Sequence, residues 1–144
     1  MIGFLEGGLR KPRVEQTKPG IYQAIIKTLS GVGYTVYVDQ KVRDRWEEKF
    51  ENQARISINL FIYTDVRENA IDLYGFEDTG SLTIFKKLIS VKGVGPKTAL
   101  LITGRFTPVE IELALGTRSI KFFEAVAGIG KKTAAAVIDK LGKK

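Results

Sequence analysis

Over residues 1–76 the apolar positions recur with a period of two, the spacing of strands whose alternate side chains face a core. Met1 to Arg10 predicts one strand, with Ile2, Phe4 and Leu9 inward. Ile21 to Leu29 predicts a second, alternating around Ile21, Gln23, Ile25 and Lys27 before a turn at Ser30-Gly31. A third strand holds Tyr34, Val36 and Val38 on one face and Thr35 and Tyr37 on the other. The charged stretch Val42 to Phe50 predicts a short helix carrying the only tryptophan, Trp46. Ile56 to Thr64 and Ala70 to Phe76 complete the set, joined by a turn at Val66-Arg67-Glu68-Asn69. Arg10 to Gly20, with Pro12 and Pro19, reads as a loop longer than a hairpin requires. Five short strands in this length favour a small closed or partly closed barrel over a sandwich.

Beyond Glu77-Asp78-Thr79-Gly80 the period becomes helical. Leu82, Phe85, Leu88 and Ile89 share one face, as do Ala99, Leu100 and Ile102, then Ile120, Phe123 and Val126. Thr107-Pro108 opens a helix with Thr as N-cap, Pro at the first position and Glu110 in the first turn. The expected class is α+β, all-β then all-α, with a barrel over 1–76 and about five short helices over 77–144.

Composition narrows the chemistry. The chain has 144 residues, 44% of them apolar, so it should fold around a core. It holds neither Cys nor His, which removes disulfide scaffolds, Cys and His zinc sites, thiol catalysis and His-activated nucleophiles. No catalytic residue, metal site or cofactor is expected. No apolar run reaches six residues and the N-terminus is unlike a signal peptide, so a cytoplasmic protein without membrane contact is expected. The net charge of +7 is uneven: residues 1–76 carry 11 Lys and Arg against 10 Asp and Glu, residues 77–144 carry 12 against 6. An acidic partner should meet the second half.

That half contains itself twice. Ile89-Ser90-Val91-Lys92-Gly93-Val94-Gly95-Pro96-Lys97-Thr98-Ala99 recurs at an offset of 35 residues as Ala125-Val126-Ala127-Gly128-Ile129-Gly130-Lys131-Lys132-Thr133-Ala134. Each copy reads helix, Gly-apolar-Gly, helix. The first glycine (Gly93, Gly128) can take the left-handed conformation that ends a helix, and Val94 or Ile129 can plug between the two helices. The second glycine (Gly95, Gly130) lets a phosphate approach the free amides of the outgoing helix. Lys97, Lys131 and Lys132, beside Thr98 and Thr133, stand in the first turn, where cations oppose the helix dipole unless an anion is bound. Two such hairpins can grip phosphate strands across a minor groove without reading bases.

Neighbouring motifs fit less well. Gly128-Ile129-Gly130-Lys131-Lys132-Thr133 lacks the first glycine of a P-loop, Ala125 standing there, and has Lys132 in place of its Ser or Thr. Neither hairpin follows a strand as a dinucleotide motif does. Base-excision glycosylases pair a similar hairpin with a nearby catalytic Asp, but the next one after Ala99 is Asp139. Asp65, Glu68 and Asp72 could in principle hold a nuclease metal; solvated turn residues are their simpler reading.

The opening Met1-Ile2-Gly3-Phe4-Leu5-Glu6-Gly7, the segment Gly31-Val32-Gly33-Tyr34-Thr35-Val36, Val66-Arg67-Glu68-Asn69-Ala70, Leu73-Tyr74-Gly75-Phe76 and both hairpins together resemble the RuvA family. The resemblance runs in order along nearly the whole chain. It implies a five-stranded oligonucleotide/oligosaccharide-binding (OB) barrel followed by tandem helix-hairpin-helix motifs. It further implies a non-catalytic subunit that binds four-way (Holliday) junction DNA in recombination and repair. Four copies, or two such tetramers, would hold the junction open and square for the RuvB motor, with the RuvC resolvase as a further partner. The family's acidic pin matches Glu68 and Asn69, and its neighbouring basic residue matches Arg67.

The chain departs from that pattern in three places. Asn69 replaces the pin's second acid, and Ala136 stands where the family commonly has a basic residue. The sequence ends at Lys144, so the family's third, RuvB-docking domain is expected to be missing. The competing reading is a general duplex-binding module or assembly adaptor without junction specificity. Tyr34, Tyr37, Tyr63 and Tyr74 are candidates for stacking single strands on the barrel, although alternation sends some of them inward.

Overall fold

The computed structural model describes residues 1–142. Its strands are β1 (Phe4–Arg10), β2 (Val14–Lys18), β3 (Ile21–Thr28), β4 (Gly33–Asp39), β5 (Arg55–Arg67) and β6 (Ala70–Phe76), with helix α1 (Gln40–Phe50) between β4 and β5. The helices α2 (Thr79–Ile89), α3 (Pro96–Arg105), α4 (Pro108–Gly116), α5 (Ile120–Glu124) and α6 (Lys131–Leu141) follow. The order β1-β5-β6-β4-β3 closes on itself through Gly7↔Thr28 and Gly8↔Lys27, giving a ring of five strands. Among the described residues only β4 and β6 pair in parallel, as Val36↔Leu73 and Tyr37↔Tyr74. The architecture is the α+β one read from the periodicity, an OB-type ring followed by helices.

The first half departs from its sequence reading at four points. Residues 10–20 are not a plain loop: a 3-10 turn at Lys11–Arg13, opened by Pro12, leads into β2, a sixth strand hung on β3 outside the ring. Its residues are polar and mostly exposed, so no apolar alternation marks it. β1 begins at Phe4, and it is Leu5 and Leu9 that enter the barrel while Phe4 faces out against Phe61. In β3 the inward row is Tyr22, Ala24 and Ile26, one residue out of phase with the expected Gln23, Ile25 and Lys27. Ile21 misled the alternation because it is buried in a different place, against the helices. β5 is longer than expected at both ends, since only Glu68 and Asn69 remain for the turn.

Two apolar clusters organise the molecule. One fills the barrel and is closed by Val42 and Trp46 of α1, whose first turn is capped by Asp39 accepting from Val42 N at 3.1 Å. The other lies among the helices and takes in Ile21, Tyr74 and Phe76 from the barrel. Phe85 of α2 is fully buried, with Tyr63, Tyr74 and Phe76 at ring-centroid distances of 4.9–5.5 Å. A side chain of that size contributes about 1.5–3 kcal/mol on burial, so Phe85 is a principal anchor of helices to barrel.

Polar contacts fix the same junction. Asp39 also accepts from Thr103 Oγ1 of α3 at 2.8 Å, and Lys41 Nζ donates to the Phe106 carbonyl at the end of α3 at 2.8 Å. A Cβ on Gly104 would stand 2.9 Å from the Gln40 nitrogen and 3.0 Å from Asp39 Cβ, so α3 meets α1 backbone to backbone. α4 begins with the expected Thr107 N-cap, and the structure adds a capping box in which the Thr107 and Glu110 side chains each bond the other's amide. No helix among the described residues is long and apolar enough to cross a membrane.

Candidate nucleic-acid interface

The 35-residue repeat is a repeat of geometry. Gly93 and Gly128 have φ of 96° and 88°, conformations that L side chains rarely adopt. Each ends a helix whose last turn bonds onward in the same way: Val91 N to Leu88 O and Val94 N to Val91 O in the first copy, Val126 N to Phe123 O and Ile129 N to Val126 O in the second. Val94 and Ile129 are buried between their helices. The hairpins lie side by side, Thr133 Oγ1 being 3.6 Å from the Cβ position of Gly93. Lys140 Nζ of α6 donates to Ser90 O at the end of α2 at 2.6 Å, where the helix dipole favours a cation.

Helix starts distinguish the hairpins from the rest of the fold. α1, α2, α4 and α5 are capped by Asp39, Asp78, Thr107 and Ser119, each side chain accepting a first-turn amide. α3 and α6 begin at Gly95 and Gly130 with no side-chain cap. Both glycines are exposed, and a Cβ on either would meet nothing within 4 Å. An external anion can therefore reach first-turn amides that four other helices satisfy internally. Lys131 and Lys132 are exposed and make no ion pair among the described residues, while Thr98 and Thr133 are half-buried. Ala136 is half-buried against the helical core.

Lys97 does not stand free at the first hairpin as its position in the sequence suggests. Its Nζ donates to Tyr74 Oη at 2.8 Å and lies 3.9 Å from the Tyr37 ring centroid. Burial pushes its ammonium pKa below the ordinary value, with Asp72 opposing that shift. The same contact decides the tyrosines. Tyr74 is buried and its hydroxyl pKa is raised, first by burial and then by Asp72 and Asp65. Tyr37 and Tyr63 pack against the helical core and Tyr34 against the barrel core, so the four offer no open stacking platform.

Glu68 and Asn69 form the exposed tip of the β5–β6 hairpin, flanked by the pair Arg67↔Ala70. Glu68 makes no ion pair among the described residues. Arg67 reaches back to both Asp72 and Asp65, the latter at 3.4 Å. Those two aspartates face each other across the strands, where like charges repel, and the guanidinium between them offsets that repulsion. Arg67 is thus an internally paired cation, and the tip carries three carboxylates against one guanidinium. Asp65 and Asp72 belong to this acidic projection; a two-residue turn at Glu68-Asn69 sets them opposite each other, a register that the four-residue turn expected from sequence hides. No group of three acidic side chains among the described residues is placed to hold a metal.

Comparison with known proteins fits this geometry. The RuvA N terminal domain family matches residues 1–75, and the SAM-like helix-hairpin-helix tandem family matches residues 85–143. Relatives named Holliday junction branch migration complex subunit RuvA are 38% identical in Pelobacter propionicus, 32% in Tropheryma whipplei and 36% in Rickettsia bellii, each over all 144 residues. The chain spans 66%, 66% and 64% of those proteins' lengths, slightly less than two thirds. With its N-terminal half matched by the family's own domain and its whole length aligned to such relatives, the chain belongs to the RuvA family.

Proposed function

We propose that this chain is a non-catalytic DNA-binding subunit that holds four-way junctions for branch migration by a RuvB-type motor. The observation that carries the reading is the pair of uncapped helix starts at Gly95 and Gly130, repeated in geometry and open to an anion. Residues 77–144 would bind DNA through Gly93, Val94, Gly95 and Thr98 in one hairpin and Gly128, Ile129, Gly130, Lys131, Lys132 and Thr133 in the other. Contacts of this kind go to phosphates and are indifferent to sequence. Residues 1–76 would assemble the subunits and present the acidic tip. Val66 and Ile71 support assembly: they are cross-strand partners beside the tip, yet 62% and 67% exposed. Four copies around the tip would cover that apolar pair and match a four-armed partner.

The test is a gel-shift comparison of a four-way junction with linear duplex of matched length at several salt concentrations. Preference for the junction at every salt supports the reading. Equal affinity overturns junction specificity and leaves a general duplex-binding module. Light scattering of the free and junction-bound protein tests the tetramer.

A further inference from the structure

Arg10 of β1 and Arg55 of β5 are direct cross-strand partners. Residues so paired project from the same face of a sheet, where like charges oppose strand pairing. Two residues along β1, Gly8 pairs with Lys27 on one side and Ser57 on the other. The Arg55 guanidinium lies over Gly8: a Cβ there would stand within 2.6 Å of its Nε. With Arg13 closing the far side, these residues line a half-open cleft of about 390 Å³ that contains no carboxylate.

The chain has eight arginines. Arg43, Arg45, Arg67 and Arg118 pair with carboxylates, and Arg105 donates to the Ala125 carbonyl. Among the described residues the three without any side-chain partner are Arg10, Arg13 and Arg55, and all three line this cleft beside an equally unpaired Lys27. Elsewhere the fold gives each arginine a carboxylate or carbonyl acceptor. Here it gathers them against one another, the local conflict expected of a site completed by an anion.

We propose that this cleft is a second binding site for the phosphate backbone of DNA, separate from the hairpins; the proposal rests on the DNA-binding reading above. Guanidinium forks suit bidentate pairing with phosphate oxygens. At Gly7 and Gly8, on the floor of the cleft, β1 is paired on both sides, so the floor offers no open strand edge to a peptide. The site is also remote from the acidic tip: Arg55 and Arg67 end the 13-residue β5, about 40 Å apart along the strand. Ile21 packs among the helices at one end of β3, and Lys27 sits near the other. DNA held by the hairpins would thus gain phosphate contacts on the barrel beyond the hairpin footprint.

The test is a backbone amide NMR titration of the whole chain with duplex DNA, inorganic phosphate and an aspartate-rich peptide, repeated on the double variant Arg10→Gln/Arg55→Gln. Duplex should shift Gly8, Thr28 and Arg55 as well as Gly95 and Gly130. In the double variant the hairpin shifts should persist while the cleft shifts vanish, and the salt slope for duplex should fall by about one to two, roughly 0.9 per phosphate contact. The variant should also melt at a higher temperature, because a like-charged cross-strand pair is gone. Loss of hairpin shifts alone would sink the DNA-binding reading. An unmoved cleft, saturation of the cleft by free phosphate with no duplex effect, or a response only to the acidic peptide would overturn the second site.

Discussion

Lys97 Nζ donates a hydrogen bond to Tyr74 Oη at 2.8 Å, and this contact joins the first hairpin to the strand that leads to the acidic tip. Tyr74 stacks beside Tyr37 at 5.3 Å between ring centroids, so the cation is held over two rings of the parallel β4–β6 pair. Its repeat mate, Lys132, is exposed. The two hairpins share backbone geometry but not the use of their lysines: one orients the helices on the barrel, the other remains available to a ligand.

Lys97→Met should therefore leave the salt dependence of DNA binding close to that of the unmodified protein. Lys131→Gln and Lys132→Gln should each lower the slope of log affinity against log salt by about 0.9, the value of one phosphate contact. Stability should change by no more than about 1 kcal/mol in the Lys97 variant, because desolvation of the cation offsets its ring contacts. Anisotropy titrations at four salt concentrations separate the three variants. A slope reduced equally by all three would return Lys97 to the DNA surface.

Glycine substitutions probe the backbone half of the same site. Gly130→Ala adds a methyl group where the fold has open space and φ is −96°, so folding should weaken by no more than about 1 kcal/mol, the preference of an N-cap for Gly over Ala. A phosphate approaching the first-turn amides would meet that methyl group, and affinity should drop by a similar factor for every DNA sequence. Gly128→Ala, at φ of 88°, should instead destabilise the hairpin by about 1 kcal/mol or more. Thermal melts paired with gel shifts distinguish a lost ligand contact from a lost fold.

Asp39 gives the junction between barrel and helices a pH dependence. Burial raises its carboxyl pKa above the ordinary 3.8, more than the bonds from Thr103 and Val42 lower it. Between 3.8 and the raised value the folded protein keeps a proton that the unfolded chain has released, so this group's contribution to stability falls as pH rises through that window. Asp39→Asn removes the titration while keeping an acceptor for the Val42 amide. The stability of the variant relative to the parent should rise from pH 4 toward neutrality in urea unfolding. A difference that stays flat or falls would mean that the ionised carboxylate is the form the fold prefers.

The halves differed in how much the sequence disclosed. In the helices, glycine and capping residues act within one turn, so Thr107-Pro108, the 35-residue repeat and the plugs Val94 and Ile129 could be read directly. In the barrel, burial is decided by strands distant in sequence. Ile21 is as apolar as Ile26 but serves a different core, which shifted the apparent alternation by one residue. β2 carries no apolar row because it pairs on the outside of a ring already closed. Lys97 looked free because its partners, Tyr37 and Tyr74, come from strands brought together only by the parallel pairing. The cross-strand aspartates beside Glu68 were hidden by a turn expected to be two residues longer.

The acidic tip supplies the last prediction. Asp65, Glu68 and Asp72 against Arg67 leave it net negative, on a chain of net charge +7. Aimed at a bound DNA, such a tip repels phosphates and opposes docking on intact duplex, while an open crossover leaves it room. Arg67 is engaged with the aspartates, so Glu68 is the carboxylate free to act at the tip, and Asn69 contributes hydrogen bonding without charge. Glu68→Gln should lower the ratio of junction to duplex affinity, and Asn69→Asp should raise it. An exposed charge is worth about 0.2–0.5 kcal/mol, which four converging copies would turn into roughly a four- to thirty-fold change in that ratio. Both residues are exposed and lie outside the apolar cores, so neither change should disturb folding. The measurement is the affinity ratio at fixed salt, taken for each variant separately. Opposite movements of the two ratios are required; equal effects on junction and duplex would reduce Glu68 to a general surface charge.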